Sequence, residues 1–322
     1  MTIVSEIKDE GLEAVKRWAL ELDGTEPARA KPDGDVPAEA VLELADRVGR
    51  WHAAQRPADV VLEVEPGVVL ERRWVALDTV GVYVPRGLIS TLVMCAVPAQ
   101  IAGVRRIVVC TPPDGAGTIA AAAMLLGLDE VWALGGPQAI GFLAYVERVD
   151  KIVGPGNAYV NEAKLEVWRD VPIDLPGGPS EVVVVGDGDP RLVELELAAQ
   201  REHGHEAVCT TVATIEEAEA IAPEHLVLLG ESEARADEVR NAGAVFVGPS
   251  SPVPAGDYAT GGNHVLPTNG WARSVGGLGL ETFLKPITVQ RLTREGLERI
   301  RPTIEALAEA EGMPAHAEAA RR

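Results

Sequence analysis

The sequence lacks the features that mark exported, membrane-spanning and disulfide-stabilised proteins. Its first residues, MTIVSEIKDE, contain neither a basic nor an apolar signal-peptide segment, and no apolar run reaches the roughly 18 residues that a membrane helix needs. Only three cysteines occur, Cys95, Cys110 and Cys209, far apart and within apolar runs, which favours buried thiols over disulfides or a CxxC metal clip. We therefore expect a cytoplasmic protein without a membrane partner.

Positive charge is also scarce, because 29 lysines and arginines face 49 aspartates and glutamates and the formal net charge is −20. Nucleic-acid binding draws much of its affinity from a basic surface that releases counterions. We therefore expect no nucleic-acid partner and predict a small-molecule substrate. The length of 322 residues exceeds that of one ordinary domain and favours two α/β lobes.

Strand patterns alternate with helix patterns through most of the chain. The first series is RIVVCTPP, GTIAAAAMLLG, EVWALGG, QAIGFLAY, KIVG and AYVNEAKLEVW, and the second is SEVVVVGD, PRLVELELAAQREH, AVCTTVA, TIEEAEAIAPEH, LVLLG, SEARADEVRNA and AVFVG. Such alternation predicts parallel strands with helical crossovers. The predicted fold class is α/β, with two doubly wound, Rossmann-like lobes and helical segments at both ends.

The same patterns predict where the parts of the chain begin and end. Residues 1–80 form a helical lead-in and a β segment that pack on the second lobe, and residues 81–178 form the first lobe, on the cofactor side. Residues 179–285 form the second lobe with a metal and acid–base site, including a long Gly-, Pro- and Ser-rich loop at 248–279. Residues 286–322 form a C-terminal helical segment that contributes to the site and could do so across a dimer.

Histidine is concentrated late in the chain, where five of six histidines follow residue 202. Gln200 and His203 are three apart on a predicted helix, so both can converge on one metal ion, although a solvated helix end gives the same pattern. Asp257, in the glycine-rich GDYATGGNHVLPT, is a possible hard ligand, and His316 lies in a segment that could equally be an exposed, frayed helix. If these four residues converge, the mixed N/O set suits Zn²⁺ in an open site.

A carboxylate and an imidazole stand side by side in APEHL, as Glu224 and His225. They follow Pro223, which stops a helix, and lie at the edge of a predicted strand, where α/β sheets present residues to ligands. Such a pair is suited to general acid–base catalysis because histidine titrates near neutral pH. A solvated polar loop is the alternative interpretation.

No GxGxxG dinucleotide fingerprint opens a helix. GGPQAIG and GPGNAYV nevertheless place glycines between a strand and a helix N-terminus, where an anion binds favourably, or they form plain tight turns. The residues by themselves therefore indicate a metal-dependent α/β enzyme that could use a nucleotide.

The motifs, taken in order, resemble the histidinol dehydrogenase family from about Gly81 to His316. They are VGVYVP, VPAQIAGV, GGPQAI, VDKIVGPGNAYVNEAK, IDLPGGPSEV, QREHG, APEHL, AGAVFVG, GDYATGGNHVLPT and EGMPAH. The resemblance implies oxidation of L-histidinol through histidinal to L-histidine with two NAD⁺, in histidine biosynthesis. It also implies a homodimer of two-lobed α/β subunits with one Zn²⁺ per subunit.

The resemblance also assigns roles to residues. The implied zinc ligands, which hold the substrate's imidazole and amine through the metal, are Gln200, His203, Asp257 and His316, with His316 expected from the partner subunit. His225 would take the alcohol proton, and Glu224 would activate the water that adds to the aldehyde. The implied further substrate contacts are Ser180, His264 and Glu311. The implied cofactor contacts are Tyr83, Gln138 and Asn157.

Three departures from the family pattern predict a shortened member. Arg86 stands in YVPRGLIST where the family has glycine, which predicts different contacts to the cofactor's phosphates. The segment AYVERVDK lacks the Gly-Thr that the family has after this helix. Residues 205–223 lack an additional helical segment of the family. The alternatives are a relative that oxidises another small polar alcohol, such as a hydroxy-sulfonate, a non-catalytic zinc- or ligand-binding paralogue, and a zinc hydrolase that needs no NAD.

Overall fold

A computed structural model describes residues 1–186, 188–202, 204 and 206–321. The chain forms two compact units, the first made of Met1–Arg56 and Leu77–Phe283 and the second of Pro57–Ala76 and Leu284–Arg322. Among the described residues, no helix has the length and apolar character that crossing a membrane requires.

The α-helices are α1 (Ile3–Glu10), α2 (Leu12–Leu22), α3 (Ala38–Ala53), α4 (Ile89–Ala102), α5 (Ala116–Leu125), α6 (Gly136–Gly141), α7 (Ala158–Val167), α8 (Pro190–Arg201), α9 (Ile215–Ile221), α10 (Val253–Tyr258), α11 (Arg294–Ala310) and α12 (Pro314–Ala319). The strands are β1 (Ala28–Arg29), β2 (Val60–Glu65), β3 (Val68–Ala76), β4 (Thr79–Tyr83), β5 (Arg106–Thr111), β6 (Val131–Ala133), β7 (Lys151–Val153), β8 (Glu181–Val185), β9 (Val208–Val212), β10 (His225–Leu228), β11 (Ala244–Val247) and β12 (Leu284–Leu292). A π-helix covers Phe142–Val146, and 3-10 helices cover Gly230–Glu238, Trp271–Arg273 and Leu280–Phe283.

The first sheet of the larger unit has the order β1-β6-β5-β4-β7. Only the two-residue β1 is antiparallel to its neighbour. From β4 the chain passes to β5 and β6 on one side and then to β7 on the other, so the winding reverses between β4 and β7. Ligands of doubly wound sheets bind at the carboxyl ends of the strands beside such a switch point.

The lead-in helices complete the core of this first sheet. Ile7, Val15 and Ala19 are buried in one cluster with Cys110 of β5 and Ile140 of α6. The sequence predicted that this lead-in packs on the second lobe, but its apolar face packs on the first sheet instead. A helical apolar pattern predicts that one face is buried, but it does not predict which element covers that face. The predicted domain boundaries themselves stay a prediction.

The second sheet of the larger unit is entirely parallel, with the order β11-β10-β8-β9. Successive side chains point to opposite faces, and both faces of its central strands are buried. One face packs against α9 and consists of Val183, Val185, Leu226 and Leu228. The other packs against α8 and α10 and consists of Val182, Val184, Val227 and Leu229. His225, two residues before Val227, shares the face that α8 and α10 cover.

The smaller unit contains an antiparallel sheet of order β12-β3-β2 followed by α11 and α12. Thr293 caps α11, since its Oγ1 accepts a hydrogen bond of 3.0 Å from Gly296 N. Within the segment 286–322 that was predicted to be helical, the helical part therefore begins after Thr293, and the residues up to Leu292 belong to β12.

The α/β class and the parallel sheets are confirmed, and the helices of the second sheet begin at side-chain caps, Asp189 on α8 and Thr214 on α9. Two local expectations fail, and one helix was not predicted. The predicted helix SEARADEVRNA is a 3-10 helix ending at Glu238, in which only Ser232 is buried. The predicted loop 248–279 contains α10, and α4 was not predicted because its apolar residues follow no helical period.

Candidate active site

The acid–base pair lies at the amino end of the second sheet. Glu224 directly precedes β10 and His225 is its first residue, and the two are 7% and 3% exposed. His225 is in register with Val182, so the pair stands beside the start of β8. The pair lies at the end of a strand, as expected, but the rule behind the expectation concerns carboxyl ends, and this site uses amino ends instead.

A reciprocal arrangement with Glu181 fixes Glu224. Glu224 Oε2 accepts hydrogen bonds from Ser180 Oγ at 2.7 Å and from Glu181 N at 2.9 Å, while Glu224 N donates to Glu181 Oε2 at 3.3 Å. Glu181 Oε1 also accepts from Asn269 N at 2.9 Å. Backbone N–H groups at the amino end of a strand need partners, and these carboxylates supply them.

Glu181 was not predicted as a site residue. It follows Ser180 in PGGPSEV and opens a run of valines, so a carboxylate at the head of a buried strand was the signal that could have identified it. Glu181 is 8% exposed, and a buried carboxylate needs hydrogen-bond donors, which Glu224 N and Asn269 N supply.

The hydrogen bonds of His225 define its tautomer. Its Nδ1 lies 3.1 Å from the carbonyl oxygen of Glu181 and 3.5 Å from Glu224 Oε2. Because a carbonyl oxygen can only accept, Nδ1 carries the proton, and Nε2 of the neutral ring is an acceptor. Nε2 lies 3.8 Å from Asp257 Oδ1, and the ring tilts against Phe246 with centroids 6.0 Å apart. The ring is therefore oriented to take a proton at Nε2.

A cavity of about 180 Å³ opens beside this ring, and His225, Asp257 and His264 line it. His264 is held from both sides, since its Nδ1 lies 3.2 Å from the Asp257 carbonyl oxygen and its Nε2 lies 3.3 Å from Thr91 Oγ1. Thr91 is buried on α4 and was not predicted, because nothing in its apolar surroundings marks it. The structure thus brings three of the predicted site residues to one cavity.

Negative charge accumulates at this cavity. Burial raises the pKa of Asp257 to about 6; His225 acts in the opposite direction, and the charges of Glu224 and Glu196 raise the pKa further. Burial also raises the pKa of Glu196, which lies on α8. Several carboxylates that share a desolvated region favour a bound cation, which offsets their repulsion.

Two of the predicted metal ligands lie on helices that contact each other. Glu196 Oε2 on α8 accepts a hydrogen bond of 3.1 Å from Val253 N at the start of α10. Gln200 follows Glu196 by one turn, and Asp257 follows Val253 by one turn. Gln200 is 3% exposed, and its Nε2 is buried without a hydrogen-bond partner in the described part of the chain.

Neither of the other two predicted ligands is among the described residues of the larger unit. His203 lies outside the described residues, and His316 is exposed on α12 of the smaller unit, where the predicted substrate contact Glu311 is also exposed at the end of α11. Across residues 1–186, 188–202, 204 and 206–321, no group of three or more His, Cys, Asp or Glu residues could hold a metal. Convergence of the four ligands stays a prediction.

The predicted cofactor residues lie at the carboxyl ends of the first sheet. Tyr83 ends β4, Gln138 lies in α6 after β6, and Asn157 caps α7 after β7, where its Oδ1 accepts from Val160 N at 3.1 Å. The Tyr83 hydroxyl accepts from Gly136 N at 3.3 Å, and burial raises the pKa of Tyr83 to about 12. Tyr83 and Asn157 therefore flank the switch point between β4 and β7.

A buried ion pair holds the loop after β7. Gly154 N donates to Asp174 Oδ2 at 2.7 Å, Lys164 Nζ donates to Gly154 O at 2.8 Å, and Lys164 Nζ lies 2.5 Å from Asp174 Oδ1. Gly154 has a φ of 113°, and a Cβ there would lie 2.0 Å from the carbonyl oxygen of Tyr83. Only glycine fits this close approach of β4 and β7. The pair was not predicted, because the two residues are separated in sequence and belong to no motif.

Arg86 lies in the loop after β4. Its Nη1 is 2.8 Å from Asp114 Oδ2 in the loop after β5, and both side chains are largely exposed. The different phosphate contacts predicted at Arg86 stay a prediction.

The two parallel sheets define the structural class of the protein. An acetylating aldehyde dehydrogenase from Geobacillus thermoglucosidasius shares the fold, with a TM-score of 0.55 over 91% of each chain and 12% identity. At this identity the likeness concerns the fold alone. The molecule is thus an α/β protein of the two-sheet architecture that this dehydrogenase also has.

The chain belongs to the histidinol dehydrogenase family, whose model, described as histidinol dehydrogenase, matches residues 1–220 and 208–322. A histidinol dehydrogenase from Methanothermobacter thermautotrophicus is 38% identical over 390 aligned positions, which cover 99% of this chain and 91% of the relative. One from Gluconobacter oxydans is 39% identical, covering 98% and 90%. The crystal structure of histidinol dehydrogenase from Elizabethkingia anophelis superposes with a TM-score of 0.89 at 33% identity, covering 99% and 90%.

The resemblance to this family and the shortened character of the chain are confirmed. The alignment with the Methanothermobacter relative runs over 390 positions, whereas the chain has 322 residues. The two family-model matches overlap at residues 208–220, inside the stretch that the sequence predicted to be shortened.

Proposed function

We propose that the protein oxidises L-histidinol to L-histidine through histidinal, with two NAD⁺ and one Zn²⁺ per subunit. The observation that supports this proposal best is the buried Glu224–His225 pair, which Ser180 and Glu181 hold beside a cavity lined by Asp257. The names of the family and of its relatives supply the substrate.

In the first oxidation, His225 acts as the general base. Its Nε2 takes the proton of the substrate hydroxyl while a hydride leaves the same carbon for NAD⁺. One alcohol and one NAD⁺ give one aldehyde, one NADH and one proton. The hydrogen bond from His225 Nδ1 to Glu181 O supports this role, because it keeps the lone pair on Nε2.

In the second oxidation, Glu224 activates water. Its carboxylate takes a proton from the water that adds to the aldehyde, and the resulting hydrate gives a hydride to a second NAD⁺. One aldehyde, one water and one NAD⁺ give one acid, one NADH and one proton. His225 Nδ1 and Glu224 Oε2 are 3.5 Å apart, which supports a single site for both steps. A single site keeps the reactive aldehyde bound between the two oxidations, so that it does not escape into solvent.

The described residues fit a zinc ion in part. Gln200 is buried on α8, one turn after the residue that contacts the start of α10, and Asp257 on α10 shares a desolvated region with Glu196 and Glu224. We propose that Gln200, Asp257, His203 and His316 hold the metal, an N/O set without thiolate. Zinc there supplies a Lewis acid that fixes the substrate's imidazole and amine.

We further propose a homodimer in which His316 comes from the second copy. Mixing inactive Asp257→Ala with inactive His316→Ala tests this arrangement, because exchange of subunits creates dimers with one intact site. Recovery of activity on mixing supports the shared site, and no recovery after demonstrated subunit exchange contradicts it.

The decisive test of the proposed function is the yield of NADH per L-histidinol. We expect two NADH per substrate, no turnover when NAD⁺ is omitted, and loss of activity with a chelator that added Zn²⁺ restores. A yield of one or none contradicts four-electron oxidation. Turnover without NAD⁺ would instead favour a hydrolase, and a better substrate among other small polar alcohols would favour a related dehydrogenase.

Zinc binding has a readout that does not depend on activity. We expect metal analysis of the purified protein to give one zinc per chain, and Gln200→Ala and Asp257→Ala to lower that content. Wild-type content in both variants contradicts the ligand assignment.

A further inference from the structure

The turn after β6 already has an anion bound to it, and that anion belongs to the chain itself. Asp23, at the end of α2, places Oδ2 3.0 Å from Gly135 N and 3.0 Å from Gln138 Nε2. A Cβ on Gly135 would lie 3.1 Å from Asp23 Oδ1, so the carboxylate sits directly against the turn. The backbone N–H that GGPQAIG offers at this turn is therefore occupied.

The carboxylate also determines the orientation of the Gln138 amide. A carboxylate accepts hydrogen bonds and donates none, so the amide must present its NH₂ group to Asp23 and its oxygen to the opposite side. Gln138 is 1% exposed, and its Oε1 is buried without a hydrogen-bond partner in the described part of the chain. An unsatisfied buried acceptor is costly, and a donor from a bound ligand or a water molecule satisfies it.

The surroundings of this oxygen belong to the carboxyl end of the first sheet. Oε1 would lie 2.7 Å from a Cβ placed on Gly136, whose N–H donates to the Tyr83 hydroxyl. Tyr83 and Gln138 are thus connected through the same glycine turn, beside the end of β4.

We propose that Asp23 is a positioning residue that turns Gln138 Oε1 toward the cofactor, where it accepts a hydrogen bond from an N–H or O–H group. The inference rests on the proposed use of NAD⁺, which offers ribose hydroxyls and a carboxamide NH₂ as donors. The inference also implies that the phosphates of the cofactor do not bind at Gly135 N, because this N–H already donates to the Asp23 carboxylate. The lead-in helices therefore serve the cofactor side of the molecule.

The test is a double-variant comparison by calorimetric titration of the full-length protein with NAD⁺. Asp23→Ala and Gln138→Ala should each weaken NAD⁺ binding about 10- to 100-fold, the usual range for a bond to a charged or buried polar partner. If Asp23 acts through Gln138, the double variant should bind as weakly as Gln138→Ala, with no additional loss. The Michaelis constant for histidinol should stay unchanged in all three proteins.

Glu21→Gln is the matched control, because it removes one negative charge from the same helix at an exposed position and should bind NAD⁺ normally. Asp23→Asn serves if Asp23→Ala does not fold, since the asparagine oxygen can accept the same two bonds but carries no charge; a smaller loss in the same direction is expected. An analogue with an acetyl group in place of the carboxamide separates the two donors, because Gln138→Ala should not weaken its binding further if the carboxamide NH₂ is the donor.

Each other outcome counts against the inference. Normal NAD⁺ affinity in a folded Asp23 variant, or losses that add in the double variant, overturns it while leaving the proposed function intact. A purely structural role would lower the melting temperature without weakening NAD⁺ binding, which also overturns it. Wild-type protein that binds no NAD⁺ would overturn both the inference and the proposed function.

Discussion

The two sheets of the larger unit carry their predicted site residues at opposite ends of their strands. The first sheet offers the carboxyl ends of β4, β6 and β7, followed by glycine turns that carry Tyr83, Gln138 and Asn157. The second sheet offers the amino ends of β8 and β10, which carry Glu181 and the pair Glu224 and His225. The ordinary rule for doubly wound sheets describes the first sheet but not the second.

The difference follows from the groups that each end exposes. Amino ends of strands expose backbone N–H donors, and in the second sheet these donors hold the carboxylates of Glu181 and Glu224. The carboxyl ends of the first sheet lead into helix starts, where the Asp23 carboxylate and a buried ion pair fix the turns. This difference supports our proposal that acid–base chemistry takes place at the second sheet and cofactor binding at the first.

The largest effect should come from His225→Gln. Loss of a general base lowers the rate of a proton-coupled step about 10²- to 10⁴-fold, so NADH formation in a rapid-mixing experiment with histidinol should slow by that factor. NAD⁺ affinity should not change, because His225 belongs to the second sheet. Weakened NAD⁺ binding by this variant would contradict the proposal that the first sheet alone binds the cofactor.

Lys164→Met should affect the first sheet instead. Removing one partner of a buried ion pair leaves Asp174 uncompensated and typically costs about 3–5 kcal/mol, which urea denaturation would measure as a lower free energy of unfolding. NAD⁺ binding should weaken because the Gly154 loop loses its donor, while the turnover rate at saturating NAD⁺ persists.

Lys151→Met is the matched control for this substitution, since Lys151 donates to Thr282 O at 2.6 Å and holds no turn residue. Its loss should cost less, about 1.5–3 kcal/mol, the range for a hydrogen bond that involves a charged group. Equal losses in the two variants would show that the Lys164–Asp174 pair has no special part in the loop.

Ser180→Ala should have an intermediate effect confined to the second oxidation. It removes one of the donors to Glu224 Oε2, and the loss of a hydrogen bond to a charged group corresponds to about a tenfold decrease in rate. Rapid-mixing kinetics started from histidinal would measure this rate. An increased Michaelis constant with an unchanged rate would instead favour a direct contact between Ser180 and the substrate.

The smallest effect should follow Arg86→Ala. The Arg86–Asp114 pair is exposed, so its contribution to folding should stay below about 1 kcal/mol in a denaturation experiment. If Arg86 nevertheless holds a phosphate of the cofactor, NAD⁺ affinity should fall without any loss of stability, and this result would add an exposed contact to the first sheet.

The sequence predicted the alternation of strands and helices well because β-branched runs, such as the valines of β8, and the caps at Asp189 and Thr214 are local signals. β12 and α4 were not predicted, since β12 mixes polar and apolar residues and α4 is apolar on every side. Their structure depends on tertiary partners, which no local pattern records.

The residues of the site were easier to predict than their arrangement. The motifs identified Glu224, His225, Asp257 and His264, and the cavity brings the last three together. Glu181 and Asp23 escaped prediction because their roles arise from hydrogen bonds between segments more than 40 residues apart in sequence. Such contacts require the register of the strands, which the sequence patterns do not contain.

The assignment of different tasks to the two sheets is tested most directly by one paired measurement. NAD⁺ affinity and NADH yield per histidinol should be determined on Gln138→Ala and Glu224→Gln side by side. We predict that Gln138→Ala binds NAD⁺ weakly but yields two NADH at saturation, whereas Glu224→Gln binds NAD⁺ normally and yields one. Weak NAD⁺ binding by Glu224→Gln, or a yield of one from saturated Gln138→Ala, would contradict the account.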